Sequence, residues 1–250
     1  MALPLYLAMT AAEMAGNPDR PDFFAYMACH FSPGGTGLSN APARMNEHSL
    51  LILDDSTPMD GHAPQQILSE LKKLIERDGC MGLLLDFQRP KIPEQQELAE
   101  FLCAALPCPV AVSELYAASL SCPVFLPPAP ADTALADYLK PWQGREIWLD
   151  AAMDGIELKL TVKGCNAAPL PDFPDQGHSD KGLHCHYTVE TKLESAIFRL
   201  WRTRKDLVAL LSEAEVLGVA KAVGLWQELG CLEWKGKPAT NTTAGPSIPI

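Results

Sequence analysis

The chain has 250 residues, 47% of them hydrophobic, which is enough for one large α/β domain with its own core. Its 20 Lys and Arg residues are outnumbered by 31 Asp and Glu residues, so the formal net charge is -11. This charge argues against nucleic acid and against an anionic membrane surface as the main partner, and it favours a neutral or cationic ligand.

Eight cysteines are spread along the chain without a Cys-x-x-Cys pair, and several lie in apolar runs, where a free thiol behaves as a small hydrophobic group. We expect them to be reduced. Residues 1–9 lack a basic region and have too short an apolar run for a signal peptide, and no later segment has the length and apolarity of a membrane span. The sequence therefore predicts a cytoplasmic protein.

Short apolar runs rich in β-forming residues recur along the chain, and helical patterns follow several of them. This alternation is typical of a mostly parallel sheet. The predicted strands cover residues 3–9, 23–31, 50–53, 81–87, 110–115, 124–126, 146–149 and 222–229. Eight such strands predict an α/β protein with a closed (β/α)8 TIM-type barrel.

Helical patterns cover residues 65–77, 94–106, 133–139 and 204–217. In the first of them, Ile67, Leu71, Leu74 and Ile75 form one apolar stripe. The first two connections between strands have only Pro-, Gly- and Asn-rich sequences. We therefore expect the barrel to be lean in its first third.

Apolar and polar residues alternate in three segments after the seventh strand, at 156–162, 183–191 and 196–202. This pattern predicts a small antiparallel insertion at about residues 155–203. We expect its proline-rich connection, residues 165–182, to be mobile. Residues 235–250 are rich in Pro, Thr, Gly and Ser without periodicity, which predicts a disordered tail after a single barrel domain at 1–234.

Acids, amides and aromatic residues follow the ends of the predicted strands, which is where the active site of such a barrel lies. They are His30, Asp54, Asp86, Gln88, Glu114, Tyr116, Asp150, Trp226 and Glu228. This mixture suits a carbohydrate, whose hydroxyl groups need polar partners and whose apolar face stacks on aromatic rings. An acid after a strand can instead cap the next helix, and Asp55, in the sequence Asp-Ser-Thr-Pro, resembles such a turn and cap.

The end of the fourth strand, Asp-Phe-Gln-Arg-Pro at 86–90, resembles the active-site motif of family 18 glycoside hydrolases, the chitinase-like barrels. In that family the strand carries alternating aspartates and ends Asp-aromatic-Glu-Tyr-Pro. On this register Asp86 matches the last aspartate and Gln88 the catalytic acid. Met81 and Leu84 stand where the family has its earlier aspartates.

Two further features agree with the resemblance. Trp226, in the sequence Gly-Leu-Trp-Gln-Glu-Leu at 224–229, is similar to the family's tryptophan that forms the floor of the sugar subsite. The predicted insertion also lies where many members carry one. The resemblance therefore implies a sugar site with Trp226 as its stacking surface.

The replacement of the catalytic glutamate by Gln88 changes what the resemblance implies. In that family the glutamate protonates the leaving oxygen while the acetamido group of the substrate attacks, positioned by the neighbouring aspartate. An amide cannot donate that proton, although Gln88 can still hydrogen-bond a sugar. The sixth strand is followed by Pro127 and Pro128 and lacks the family's Tyr-Asp pair. The resemblance implies a degenerate site without standard chitinase chemistry.

Three functions stay open on these grounds. The leading hypothesis is a pseudoenzyme that binds a carbohydrate, with N-acetylated sugars among the candidates. An alternative is an active glycosidase in which Glu114 or Glu228 is the acid and Asp86 the stabilising carboxylate. The third is a non-catalytic cytoplasmic scaffold whose insertion forms the partner surface. The predicted ligand contacts are Gln88, Tyr116, Trp226, Asp54, His30 and Asp150.

The sequence predicts no cofactor and no metal. His184 and His186 share a face of the predicted insertion and would offer two ligands, but no third ligand has the spacing of a metal motif. The pattern does not define an oligomeric state.

Overall fold

The computed structural model describes residues 3–17, 23–59 and 63–232. The strands of the barrel region are β1 (Leu5–Met9), β2 (Phe24–Phe31), β3 (Leu38–Ser39), β4 (Leu50–Asp54), β5 (Gly82–Asp86), β6 (Val110–Ser113), β7 (Val124–Leu126), β8 (Ile147–Asp150) and β14 (Lys221–Leu225). The strands of the insertion are β9 (Gly155–Thr161), β10 (Gly164–Pro169), β11 (His178–Asp180), β12 (Cys185–Lys192) and β13 (Ser195–Trp201). The helices are α1 (Ala11–Gly16), α2 (Pro64–Asp78), α3 (Pro93–Ala105), α4 (Glu114–Ala117), α5 (Leu135–Leu139), α6 (Arg204–Val216) and α7 (Trp226–Leu229), with a 3-10 turn at Lys140–Trp142.

Within the described residues, eight parallel strands close into a barrel in the order β1, β2, β4, β5, β6, β7, β8 and β14, with β14 paired back to β1. The predicted (β/α)8 barrel is confirmed. Two predicted strands, 110–115 and 222–229, are shorter in the structure. Their last residues instead form the helical turns α4 and α7, which begin directly after Ser113 and Leu225.

Strand residues alternate between two apolar layers, as the pleat of a strand requires. The outer layer packs against the helices and includes the predicted stripe of α2, all of whose four members are buried. The inner layer fills the barrel with side chains such as Leu50, Leu84, Phe125 and Trp148. Because Trp148 is fully buried in this layer, the barrel is a packed core that is open only at its ends.

The first connection of the barrel differs from the prediction, because α1 lies between β1 and β2. The backbone N–H of Glu13 donates to Thr10 Oγ1 over 3.3 Å, and the N–H of Thr10 donates to Glu13 Oε2 over 2.7 Å. This reciprocal capping box stabilises a helix that is too short to show an apolar stripe. The second connection has the two-residue strand β3 and no helix among its described residues, in agreement with the lean first third.

The insertion is larger than the sequence predicted. Its antiparallel sheet has the order β10, β9, β13, β12, β11, so the connection expected to be mobile carries the two edge strands. Strand β10 pairs with β9 from Gly164 to Pro169. Neither face of β10 is buried, so this edge strand needs no alternation of apolar and polar residues. The sequence pattern therefore did not reveal it.

Polar contacts attach the insertion to the barrel and to α6. The buried Arg202 donates to the carbonyl oxygen of Pro130 over 3.0 Å and to that of Ala129, and it donates to Asp154 Oδ1 over 3.0 Å. His184 Nε2 contacts a carboxylate oxygen of Glu213, and His186 Nδ1 lies 2.8 Å from Asp206 Oδ2. The two histidines weighed as metal ligands thus each have a ring nitrogen paired with an acid of α6.

No helix in the described part of the chain is both long and apolar enough to cross a membrane. The same residues contain no group of three or more His, Cys, Asp or Glu side chains arranged to hold a metal ion. All eight cysteines lie in described regions and are free thiols. The tail predicted at 235–250 lies outside the described residues, so it and the domain boundary at 234 stay predictions.

Candidate functional site

Two adjoining cavities lie at the carboxyl end of the barrel. The central cavity, of about 280 Å³, lies over the inner layer and is lined by Ala8, Met27, Ile52, Asp54, Leu84, Asp86, Gln88, Phe125, Asp150, Val223, Gly224 and Leu225. The side cavity, of about 460 Å³, lies beside the ends of β6 and β7 and is lined by Asp86, Phe87, Gln88, Ser113, Glu114, Leu115, Phe125, Pro127, Pro128 and Asp150. Four residues line both cavities: Asp86, Gln88, Phe125 and Asp150.

The pleat of β5 explains why Asp86 and Gln88 face these cavities. Leu84 packs in the inner layer, so the residues two and four positions later point to the same side. All three line the central cavity. Leu84 is part of an apolar layer and Met81 is 45% exposed, so neither position that the family fills with aspartate provides a carboxylate beneath Asp86.

Gln88 bonds directly to Asp86. Its side-chain NH2 donates to Asp86 Oδ1 over 3.1 Å and lies 3.2 Å from Oδ2. The amide thus orients the carboxylate and can stabilise its ionised form. In this arrangement Gln88 is a positioning group for Asp86 that also lines both cavities.

Asp55 holds the loop that carries Gln88, a role the sequence did not predict. Its carboxylate, 4% exposed, accepts hydrogen bonds of 3.0 Å from the backbone N–H groups of Gln88 and Arg89 and from Gln95 Nε2. Asp55 is therefore not the helix cap that the sequence suggested, because the next helix begins only at Pro64. Asp55 instead connects the β4 loop to the loop after β5.

Asp150 ends β8 and faces the same cavities from the other side of β6 and β7. Burial, followed by the negative charges of Asp86, Glu228 and Asp154, raises the pKa of Asp150 from 3.8 to about 7. Burial also raises the pKa of Asp86, opposed by its hydrogen bond from Gln88. The charge of Asp86 is thus one cause of the raised pKa of Asp150, and an ionised Asp86 favours the protonated form of Asp150 near neutral pH.

Glu114 lines the side cavity, and Tyr138 contacts Pro127 in its wall. Glu114 is exposed at the start of α4, in the wall of the cavity. The hydroxyl of Tyr138 donates to the carbonyl oxygen of Pro127 over 2.9 Å, and burial with the charges of Glu114 and Asp150 raises the pKa of Tyr138. Tyr138 was not predicted, since in the sequence it is one more residue of a helical pattern.

Two aromatic residues expected to contact ligand lie elsewhere. Tyr116 is fully buried, and its hydroxyl donates to Gln95 Oε1 over 2.9 Å. Trp226 packs against the outer layer, and Leu225 lines the central cavity instead. The cause is the pleat of β14: Val223 faces the barrel interior, so alternation turns Leu225 inward and the next residue outward. Neither aromatic residue lines either of the two cavities.

The other three predicted site residues, Glu228, Asp54 and His30, lie at or near the carboxyl ends of the strands. Glu228 accepts a hydrogen bond from the backbone N–H of Met153 and stabilises the loop after β8, so it supports Asp150 from outside the cavity walls described above. Asp54 lines the central cavity and accepts from the N–H of Ser56 over 2.8 Å. His30 is half-buried and aligns in register with Asp54, one strand farther along the rim.

Sequence reasoning missed the apolar part of the site. Phe125 from β7 lines both cavities, and Leu225 is 42% exposed at the mouth. The available signal was position: Phe125 is the next-to-last residue of its strand and aligns with Ser113 at the end of β6. Because Phe125 is only 7% exposed, it adds a small apolar area to the cavity walls and does not replace the stacking face predicted at Trp226.

No protein-family profile and no curated protein matches the chain in sequence. Solved structures match it in fold. The Bacillus cereus spore cortex-lytic enzyme SleL has a TM-score of 0.55 and 10% identity, over 93% of this chain and 72% of that one. A chitinase from Chromobacterium violaceum has a TM-score of 0.52 and 10% identity, over 94% and 96% of the two chains. A family 18 chitinase variant from Cycas revoluta, in complex with (GlcNAc)4, has a TM-score of 0.54 and 13% identity, over 89% and 94%. The chain thus has the TIM-barrel fold of family 18 glycoside hydrolases, as its fourth strand implied.

Proposed function

We propose that the barrel mouth binds a carbohydrate, and that the ligand is an N-acetylated oligosaccharide. The observation that carries this proposal is the composition of the paired cavities. Asp54, Asp86, Gln88 and Asp150 supply donors and acceptors for sugar hydroxyl groups, and Phe125 supplies an apolar surface beside them. A pocket with a few convergent polar groups on an apolar wall is typical of a small-ligand site.

The comparisons support the choice of ligand. The solved structures with this fold include chitinases from Cycas revoluta in complex with (GlcNAc)3, (GlcNAc)4 and allosamidin. They also include spore cortex-lytic enzymes from two Bacillus species. We transfer from them the class of ligand and not the reaction.

The standard chemistry of chitinase-like barrels is not part of the proposal. Gln88 has no acidic proton, and its NH2 group is bonded to Asp86. Leu84 replaces the carboxylate below that aspartate with a buried aliphatic group. A site built this way can hold an N-acetylated sugar, but Gln88 cannot protonate the glycosidic oxygen.

Binding is tested by thermal-shift and calorimetric titration with (GlcNAc)3, (GlcNAc)4 and peptidoglycan fragments. We expect saturable stabilisation of the unaltered protein, and an affinity about 5- to 150-fold weaker for Gln88→Ala, because a lost hydrogen bond to a polar ligand group costs about 1–3 kcal/mol. Gln65→Ala is the matched control, since Gln65 is exposed on α2, outside the residues that line the cavities.

Two results would count against this function. An affinity that Gln88→Ala leaves unchanged would move the ligand away from the barrel mouth. No saturable response to any of the oligosaccharides would reject sugar binding and favour the scaffold hypothesis. In that hypothesis the apolar residues exposed on the insertion, such as Leu160 and Val189, contact a protein partner.

A further inference from the structure

We propose that the barrel mouth also hydrolyses a glycosidic bond, with Asp150 as the proton donor and Asp86 as the base that activates water. This inference rests on the proposed function, because it requires a bound oligosaccharide. It assigns the acid to β8, whereas the resemblance to chitinase-like barrels assigned it to the residue now occupied by Gln88.

The placement of the two carboxyl groups carries the proposal. Asp86 ends β5 and Asp150 ends β8, and β6 and β7 separate these strands around the barrel. Both residues line the central and the side cavity, so they face the same space from different walls. Hydrolysis by direct attack of water requires two carboxyl groups on either side of the sugar, with room between them for the water.

The surroundings of the two groups favour different protonation states. Asp86 receives the NH2 of Gln88, and a donor of this kind stabilises a carboxylate. Asp150 is desolvated, faces the negative charges of Asp86, Glu228 and Asp154, and has a pKa raised to about 7. The opposing donor to Asp150 is the backbone N–H of Ala151. Burial and the negative charges of Asp54 and Asp55 raise the pKa of Asp86 too, and the hydrogen bond from Gln88 opposes that rise. We therefore assign the proton to Asp150 and the ionised state to Asp86.

The reaction balances with water as its only co-reactant. Asp150 gives its proton to the glycosidic oxygen as the bond from that oxygen to the anomeric carbon breaks. A water molecule forms the new bond to the anomeric carbon and loses a proton to Asp86. Transfer of that proton back to Asp150 through solvent restores the pair, and the products are two sugars with free hydroxyl groups.

The two acids proposed from the sequence fit this role less well. Glu228 is bonded to the backbone N–H of Met153 and supports the loop after β8. Glu114 is exposed, and it lines the side cavity but not the central cavity. Asp150, unlike Glu114 and Glu228, combines a raised pKa with a place in both cavities.

Aryl glycosides of N-acetylglucosamine oligomers test the assignment, with (GlcNAc)4 affinity measured in parallel. We expect the unaltered enzyme to release the aryl group, with kcat/KM falling as pH rises through about 7, because Asp150 then loses the proton it must donate. Asp150→Asn is expected to lower kcat for a poor leaving group about 100-fold or more while (GlcNAc)4 affinity changes only a few-fold.

The leaving group distinguishes a proton donor from a structural residue. A dinitrophenyl glycoside departs without protonation, so Asp150→Asn should retain most of its activity on it, and Asp86→Asn should lose activity on both substrates. Asp137→Asn, an exposed aspartate of α5, is the matched control and should behave as the unaltered enzyme.

Three outcomes would overturn the assignment. In the first, (GlcNAc)4 binds but no aryl group is released. In the second, Asp150→Asn is fully active on the substrate with the poor leaving group. In the third, Asp150→Asn loses the same activity with both leaving groups. The first leaves the proposed binding function intact. An absence of binding would reject that function as well, so the two failures are distinguishable.

Discussion

At the scale of single residues, Asp55 determines where the fourth-strand motif lies. One buried carboxylate accepts from two backbone N–H groups and one side-chain amide, all on the segment that follows β5. Arg89 adds a second connection by donating to the carbonyl oxygens of Asp55 and Ser56, each over 2.6 Å. The position of Gln88 therefore depends on a residue of the preceding loop.

We predict that Asp55→Asn lowers the free energy of unfolding by about 2–4 kcal/mol, because a buried amide cannot accept all the hydrogen bonds that the charged carboxylate accepts. Urea denaturation measures the change. Asp172→Asn, at an exposed position, should change stability by less than about 0.5 kcal/mol. If Asp55→Asn had as small an effect as this control, the carboxylate would not be holding the loop.

At the scale of elements, the insertion depends on Arg202 for its attachment. The residue follows β13 directly, and its guanidinium reaches Ala129 and Pro130 in the loop after β7 and Asp154 in the loop after β8. Because this group is 1% exposed, its loss would leave three buried or half-buried acceptors without their donor.

Arg202→Met is therefore expected to cost about 3 kcal/mol of stability and to increase amide hydrogen exchange in β9–β13. Arg199→Met provides the comparison, since its ion pairs with Glu157 and Glu190 are about one-third exposed or more and contribute about 1 kcal/mol or less. Equal effects of the two substitutions on stability and exchange would argue against Arg202 as the attachment point.

At the scale of the whole molecule, Trp148 fills the closed barrel. Its ring lies 4.3 Å from Lys221 Nζ, and its Nε1 donates to Glu146 Oε1 over 2.7 Å. Gly82 leaves room for it, because a Cβ there would lie 3.0 Å from the edge of the indole ring. The side chain belongs to an inner apolar cluster to which every strand of the barrel contributes a residue.

We predict that Trp148→Ala lowers the free energy of unfolding by about 3–5 kcal/mol, measured in urea, because the cavity it leaves lies inside a closed sheet that cannot collapse around it. Trp142→Ala is the control: Trp142 is half-buried outside the barrel, near Arg145, and should cost about 1–2 kcal/mol. A loss at Trp148 no larger than at Trp142 would mean that the interior relaxes freely.

The sequence predicted the features that depend on local periodicity. Short apolar runs located the barrel strands, alternation with a period of two located three strands of the insertion, and a period of 3.6 located α2 and its buried stripe. It failed where the pattern was short or interrupted, as in α1, the edge strand β10 and the turn that begins at Trp226. There the structure depends on a capping box at α1, on pairing with β9 at β10, and on a helical turn after β14, and hydrophobic alternation reports none of these.

The sequence by itself thus determined the succession of strands and helices that a barrel needs and the position of Asp86 and Gln88 at the end of the fourth strand, because both follow from local runs of residues. Only the tertiary structure decided that Asp150 faces Asp86, that Leu225 lies in the cavity wall where Trp226 was expected, and that Asp55 holds the loop. These features depend on closure of the sheet, which brings together strand ends that are distant in the chain. The raised pKa of Asp150 follows from the same closure, since burial and facing charges exist only once the barrel has formed.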